Sequence, residues 1–268
     1  MKTLYVSDLD GTLLHSDETL SPFTIQTINE LVSKGILFSY ATARSYVTAS
    51  KATKGITAAL PLIVYNGAMI IHNNTGEKLK FNRFADDVHN LLRDLLLHEV
   101  YPLVYSLREG RERFSYIPSR CSRGMNAFLS TREGDPRRNP VQGVEDLFQG
   151  EVFYITCIDE NEKLLPLYRR HGAAYHTVYA RDFYSGEQWL EFMPRETSKA
   201  NAVHQLKEMY GCSRVVAFGD GTNDLDMFRM ADECYAVENA AEELKRIATG
   251  VIPSNDKDGV AQWLKTIM

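Results

Sequence analysis

Two short stretches concentrate carboxylates in a way that needs a chemical reason. Residues 6–14 read VSDLDGTLL, and residues 218–224 read FGDGTND. In the first, Asp8 and Asp10 follow an apolar run and precede Gly11 and Thr12. In the second, Asp220, Asn223 and Asp224 follow another apolar run, VVAF. Side chains alternate along a strand, so Asp8 and Asp10 are expected on one side, at the C-terminal edge where open α/β sheets bind ligands. Adjacent carboxylates are costly unless a cation, a shared proton or solvent compensates them.

Plainer readings compete with this one. An Asp-Leu-Asp-Gly sequence alone is commonly a solvated turn, and a helix cap would use only one of the two acids. A calcium loop of the EF-hand type lacks its third acidic position and its terminal glutamate here. Gly219 and Gly221 match a nucleotide-binding glycine turn only weakly, and acidic neighbours repel a pyrophosphate unless a metal intervenes. Two acidic turns on neighbouring parallel strands instead make an oxygen-rich cage suited to Mg²⁺, a hard ion. Thr42, at the end of FSYAT, offers a hydroxyl and nearby backbone amides, and Lys199, after Glu196-Thr197-Ser198, offers a positive charge. Either is ordinary alone; with the acidic turns they make a phosphate site.

The elements that must position these groups alternate. TLYVS is a strand. SPFTIQTINELVSKG follows as a helix with Ser21 as N-cap, Pro22 at its first position, an apolar stripe of Ile25, Ile28, Leu31 and Val32, and Gly35 as its stop. ILFSYATAR is the next strand, a polar helical stretch begins at Ser45, and LPLIVYNGAMIIH reads as strand, Asn66-Gly67 turn, strand. The C-terminal end repeats the rhythm: helix TSKANAVHQLKEMYG, strand RVVAFGD, helix TNDLDMFRMAD, strand ECYAV and helix AAEELKRIA. The expected fold class is α/β, a Rossmann-like parallel-sheet core with an inserted α+β cap. Its boundaries are set at residues 1–82 and 190–268 for the core and 83–189 for the cap, where a helix over 85–98 gives way to strand-like pieces and arginine-rich loops.

The 268 residues, 44% hydrophobic and 24% charged, suffice for a large buried core, and the net charge of −5 is spread along the chain. Nothing marks a nucleic-acid or membrane partner. No run approaches the roughly 18 uncharged apolar residues of a membrane helix, and the first residues lack a signal sequence. Cys121, Cys157, Cys212 and Cys234 are far apart, without zinc or redox spacing, which fits a reducing cytoplasm.

The constellation resembles the haloacid dehalogenase superfamily. Its four motifs fall in order on DLDGT (Asp8 to Thr12), Thr42, Lys199 and GDGTND (Gly219 to Asp224), and the first and last of these are highly specific. The long insertion after the second motif, the NGA at Asn66 to Ala68 and the late SNDKDGVA (Ser254 to Ala261) are similar to the Cof-type branch, mostly phosphatases of sugar phosphates and related metabolites. The resemblance implies that Asp8 is the nucleophile and Asp10 the general acid and base. It implies a Mg²⁺ held by Asp8, the Asp10 carbonyl, Asp220 and Asp224, directly or through water, and phosphoryl oxygens held by Thr42, Lys199, Asn223 and the amides of Leu9 and Ala43. The family often has glycine after the motif-two threonine; Ala43 there would strain a positive-φ turn by about 1 kcal/mol. Arg44 either touches substrate or makes a structural ion pair. The implied partner is a small phosphorylated molecule. A phosphomutase of related fold, or a catalytically silent metabolite-binding regulator, is the alternative; a dehalogenase needs neither the second aspartate nor the cage, and an ATPase pump needs membrane helices.

In the cap, Arg108, Arg111, Arg113, Arg120 and Arg123 either bind a second anionic group of the substrate or form a solvated basic face. Tyr184 and Trp189 either stack on a sugar or pack at a hinge.

Overall fold

The computed structural model describes residues 2–57, 60–182 and 185–268, so Tyr184 lies outside the described residues. The chain divides into two compact units. Residues 1–81 and 197–268 form one, and the continuous stretch 82–196 forms the other.

Along the chain the strands are β1 (Thr3–Ser7), β2 (Leu37–Tyr40), β3 (Leu62–Val64), β4 (Met69–Ile71), β5 (Lys78–Phe81), β6 (Leu103–Arg108), β7 (Arg111–Tyr116), β8 (Arg138–Pro140), β9 (Glu151–Ile158), β10 (His176–Arg181), β11 (Gln188–Met193), β12 (Arg214–Gly219), β13 (Glu233–Val237) and β14 (Gly250–Ile252). The helices that matter below are α1 (Pro22–Ser33), α2 (Tyr46–Ala52), α3 (Val88–Leu97), α4 (Arg123–Ser130), α5 (Asn161–His171), α6 (Lys199–Met209), α7 (Leu225–Met230), α8 (Glu242–Ile247) and α9 (Gly259–Lys265).

In the first unit a parallel sheet has the order β14-β13-β12-β1-β2. Its central strands are buried nearly throughout, as expected where both faces are covered by helices. Leu4, Val6, Val216 and Phe218 join Ile28 and Leu31 of α1, Val203 and Leu206 of α6 and Leu264 of α9 in one core. The helix starts follow local chemistry: Ser21, Ser45 and Ser198 each cap a helix by accepting from a backbone amide of its first turn. The Asn66-Gly67 turn joins β3 and β4, which pair antiparallel, and β5 completes a small sheet. Gly67 sits at φ 98°, and a Cβ there would lie 2.3 Å from the Ser198 carbonyl, so the motif's glycine is a requirement of close approach to the start of α6.

The second unit is an α+β module with sheet order β10-β11-β9-β6-β7-β8. Its core joins Leu91, Leu92 and Leu95 of α3, Leu164 and Leu167 of α5, and Val104, Ile155, Leu190 and Phe192 of the sheet. The division falls later than the expected one at 189/190. Gln188–Met193 is a full strand paired antiparallel with both β10 and β9, so it belongs to the inserted unit, and the chain leaves that unit only after Glu196.

The late SNDKDGVA stretch has a mechanical role in the first unit. Asp258, at φ 55°, accepts through one carboxylate oxygen from Ser21 Oγ (2.6 Å) and Thr24 Oγ1 (2.9 Å) and meets His15 Nε2 at 2.9 Å. Burial disfavours its charge, but the bonds from Ser21, His15 and Thr24 outweigh that and hold its carboxyl below the usual range. A depressed carboxyl stabilises the fold above the unfolded-state pKa, and this is lost as pH falls through the folded one. Asp258→Asn is therefore expected to cost about 1–2 kcal/mol in urea unfolding near neutral pH, where charge-assisted bonds are lost. The gap to the native chain should close below pH ~4. A gap that widens in acid counts against this account.

Candidate active site

Strand register explains why distant residues meet. Ser7 lies opposite Phe218 of β12 on one side and Tyr40 of β2 on the other. Gly219 lies opposite Ala236, and Val237 opposite Ile252. The strands thus end at one level, and Asp8, Thr42, Asp220, Asn239 and Asn255 all leave the sheet at the same edge. The Asp8 amide donates to the Phe218 carbonyl at 2.9 Å, which fixes the first acidic turn against the buried end of β12.

Asp8 lies one residue beyond β1, and Asp10 lies in the turn Leu9–Leu13. Strand alternation is therefore not what orients the pair. Gly11, at φ 74°, folds the chain back, and a Cβ on it would stand 2.5 Å from Asp220 Oδ2, so the two acidic loops touch. Thr12 Oγ1 donates to Asp220 Oδ1 at 2.8 Å across the same gap.

At the centre is Lys199, whose side chain is only 1% exposed. Its ammonium donates to Asp8 Oδ1 and to Asp224 Oδ1, both at 2.7 Å. The Ser198 cap places it as the first residue of α6. The other oxygen of Asp224 accepts from the amides of Asp220 and Gly221, each at 3.1 Å, so this aspartate ties the lysine to the second acidic turn.

The electrostatics follow from burial. Loss of solvent pushes the Asp8 carboxyl well up; Lys199 pulls it back, and the charges of Asp224, Asp220 and Asp10 push it up again. Burial and then Asp224 raise Asp220 to about 7, although Thr12 and Lys199 oppose them. Burial works against the charge on Lys199, yet Asp224 and Asp8 outweigh it and hold its ammonium above the ordinary lysine range. One ammonium serves three clustered acids, and the site is short of positive charge.

A divalent cation fits that shortage. Carboxylate oxygens of Asp8, Asp220 and Asp224 lie within 4.8 Å of one another, a hard-donor group of the kind Mg²⁺ takes. Asp224 already gives its oxygens to Lys199 and two amides, so Asp8 and Asp220 are the donors with fewer commitments.

The other expected site residues take varied positions. Thr42 is fully buried; its amide donates to the Ile63 carbonyl and its hydroxyl accepts from the Arg44 amide at 3.1 Å, leaving its own hydrogen to donate. Leu9 is buried beside Asp8. Ala43 is not among the residues at positive φ, so the expected strain is absent: the turn after Thr42 needs no glycine. Arg44 makes the ion pair rather than standing open toward a ligand. Its Nε donates to both oxygens of Asp10, at 3.0 and 2.9 Å, and one terminal nitrogen reaches Glu18 at 2.7 Å. Asn223 donates to Asn66 Oδ1 at 3.4 Å, so the Asn66-Gly67 turn reaches the second acidic loop. Sequence reading missed Glu18, the side chain of Asn66 and Asn239; the only signal for Asn66 was its place in the NGA stretch.

The arginines of the inserted unit are largely occupied within it. Arg108 donates to Ser115, Gln149 and the Asp146 carbonyl, Arg113 to the carbonyls of Glu112 and Pro136, and Arg120 lies over the Tyr101 ring at 5.3 Å. Trp189 packs edge-on against Phe128 with ring centroids 5.4 Å apart. These contacts give Arg108, Arg113, Arg120 and Trp189 partners within the unit, whereas Arg111 and Arg123 are exposed.

A model of the haloacid dehalogenase-like hydrolase family matches residues 5–264, and the chain belongs to that family. Two relatives from Bacillus subtilis strain 168 carry the name 5-amino-6-(5-phospho-D-ribitylamino)uracil phosphatase. YwtE is 27% identical, over 97% of this chain and 96% of its own, and YitU is 28% identical, over 98% and 96%. Among solved structures, a haloacid dehalogenase-like hydrolase from Bacteroides thetaiotaomicron superposes with TM-score 0.80 at 25% identity, each chain fully covered. One from B. subtilis gives 0.82 at 22%, also with full coverage of both, and shares the fold.

Because Lys199 bridges two buried acids, Lys199→Met is expected to destabilise the chain by about 3–5 kcal/mol in urea unfolding with chelator present. Saturating Mg²⁺ should recover part of that loss by taking up the stranded charge. A loss under about 1 kcal/mol would mean that the three side chains are not a coupled buried network.

Proposed function

We propose that this chain is a Mg²⁺-dependent phosphatase that hydrolyses phosphomonoesters of small metabolites through an aspartyl-phosphate on Asp8. The observation that carries the reading is the Asp8–Lys199–Asp224 bridge beside Asp220, at a sheet edge where ligands of α/β folds bind. The names of the B. subtilis relatives support a phosphatase. The residues present fit the cation: Asp8 and Asp220 would hold it, with Asp224 directly or through water and the Asp10 carbonyl as further oxygens. When bound, it supplies positive charge that lets an anionic nucleophile approach a phosphate.

Asp8 is assigned as nucleophile because Lys199 holds one of its oxygens and fixes its orientation. An oxygen of Asp8 forms a bond to phosphorus as the bond to the leaving alkoxide breaks. Asp10 gives that alkoxide a proton, then takes one from the water that attacks phosphorus and releases Asp8 and phosphate. In the resting site Arg44 pairs with both oxygens of the Asp10 carboxylate, so that pair must open before Asp10 carries the proton it gives. Lys199, the Thr42 hydroxyl, Asn223 and the amides of Leu9 and Ala43 are assigned to the phosphoryl oxygens, where donors stabilise the charge that develops in transfer. The substrate class is sugar phosphates and related phosphorylated metabolites, with the phosphoribityl-aminouracil of the named relatives as one candidate. A cytoplasmic setting is proposed from the four free, scattered thiols.

Asp8→Asn is expected to abolish Mg²⁺-dependent phosphate release from p-nitrophenyl phosphate. Asp10→Ala should slow it by about 10² or more, and by more still with an alkyl phosphate whose leaving group needs the proton. A panel of sugar phosphates, nucleotides and phosphoribityl compounds, with and without chelator, identifies the substrate. Recovery of phosphorylated isomers rather than free phosphate would make the chain a phosphomutase. Undiminished turnover by purified Asp8→Asn overturns the nucleophile assignment.

A further inference from the structure

The Thr12 hydroxyl and the close approach of Gly11 bring the two acidic loops into contact, but neither residue holds both loops from outside the gap. A third loop does. β13 ends at Val237, and the segment that follows it, Glu238 to Ala241, lies alongside the β12 loop because β13 is the neighbour of β12. From it, the Asn239 side-chain amide donates to the Gly11 carbonyl at 2.7 Å, and the Ala241 amide donates to the Asp220 carbonyl at 2.8 Å. One short segment thus holds the first acidic turn by a side chain and the second by its backbone.

The segment is itself held. The Asn239 side-chain oxygen accepts from the Asn255 amide at 3.1 Å, and the Asn255 side chain, buried and fixed by its own fold position, donates to the Leu14 carbonyl at 2.9 Å. Asn239 therefore spends both ends of its amide, one on each neighbouring loop. A donor and an acceptor on one planar group is what an asparagine supplies and an aspartate does not. The residue is exposed, so its contribution is not core packing. A substitution there changes the bond to Gly11 without opening a cavity.

We propose that Asn239 is a positioning residue for the divalent-cation site, a brace that sets the spacing of Asp8 and Asp10 on one loop from Asp220 on the next. The inference rests on the cation reading given above. Fixing outer groups of this kind typically changes metal affinity by about 10–100-fold, and the exposure of Asn239 places the expected effect at the lower end.

The experiment measures cation binding directly, using purified full-length chain, with Mg²⁺ followed by titration calorimetry and Mn²⁺ by loss of the free-ion EPR signal. Asn239→Ala is expected to raise Kd about tenfold or more while the circular dichroism spectrum stays native. Asn239→Asp keeps the shape and the acceptor for Asn255 but loses the donor, and should weaken binding likewise; it decides the matter if the alanine variant does not fold. Asp256→Ala, which removes only the bonds to exposed Ser16, should leave Kd unchanged. If the native chain binds neither ion, the cation reading fails and takes this inference with it. If the native chain binds and a folded Asn239 variant binds equally well, or if Asp256→Ala weakens binding as much, the brace is refuted and the cation reading stands.

Discussion

The structure turns on a single electrostatic problem: several carboxylates brought to one sheet edge with one buried ammonium among them. Lys199 bridges Asp8 and Asp224 at 2.7 Å each, and burial makes both the ammonium and the acids depend on that bridge. A buried ion pair is weak evidence of stability, because desolvating the charges offsets most of their attraction. Hydrophobic side chains of similar volume often serve a buried position at least as well. The retained charges therefore point to chemistry, and burial together with the neighbouring Asp224 raises the Asp220 carboxyl to about 7. The same crowding that costs stability makes the three acids a group that could hold a cation.

Such a cluster can be held only if the backbone leaves it no freedom to spread. Parallel strands ending at one level deliver the loops to the same place, and the loops are then fastened to one another and not merely to their own strands. Thr12 bonds Asp220, Arg44 bonds Asp10 and Glu18, Asn66 meets Asn223, and Asp258 holds Ser21 and Thr24. Each fastening crosses from one chain segment to another far away in sequence, so the loops keep their relative positions without packing of their own.

Much of this was legible because it is written in strand ends. An apolar run followed by acid, glycine and threonine specifies both an element and its terminus, and the cap residues Ser21, Ser45 and Ser198 mark helix starts by the same local logic. What local pattern does not carry is partnership. Gln188–Met193 looked like the return to the core, since nothing in QWLEFM says which sheet it joins; its partners β9 and β10 decide that. Alternation along a strand put Asp10 beside Asp8, whereas the left-handed turn at Gly11 positions both. Asn239 hides in VENAAEE as an ordinary turn residue before a helix, because its meaning comes from Gly11, more than two hundred residues away in the chain.

Ala43 and Arg44 show how a departure from a family's pattern can be read physically. A left-handed backbone would favour glycine at that place, and Ala43 does not adopt one. The turn is instead closed by the Arg44 amide on the Thr42 hydroxyl, while the Tyr65 amide donates to the Arg44 carbonyl. With its backbone held on both sides, the Arg44 guanidinium is carried over Asp10 in a paired geometry that a lysine, a point charge on a flexible stem, does not reproduce. The arginine thus belongs with the fastenings: it fixes the orientation of the second aspartate, as Lys199 fixes the first, and between them the two cations set the directions of both side chains in the DLD stretch.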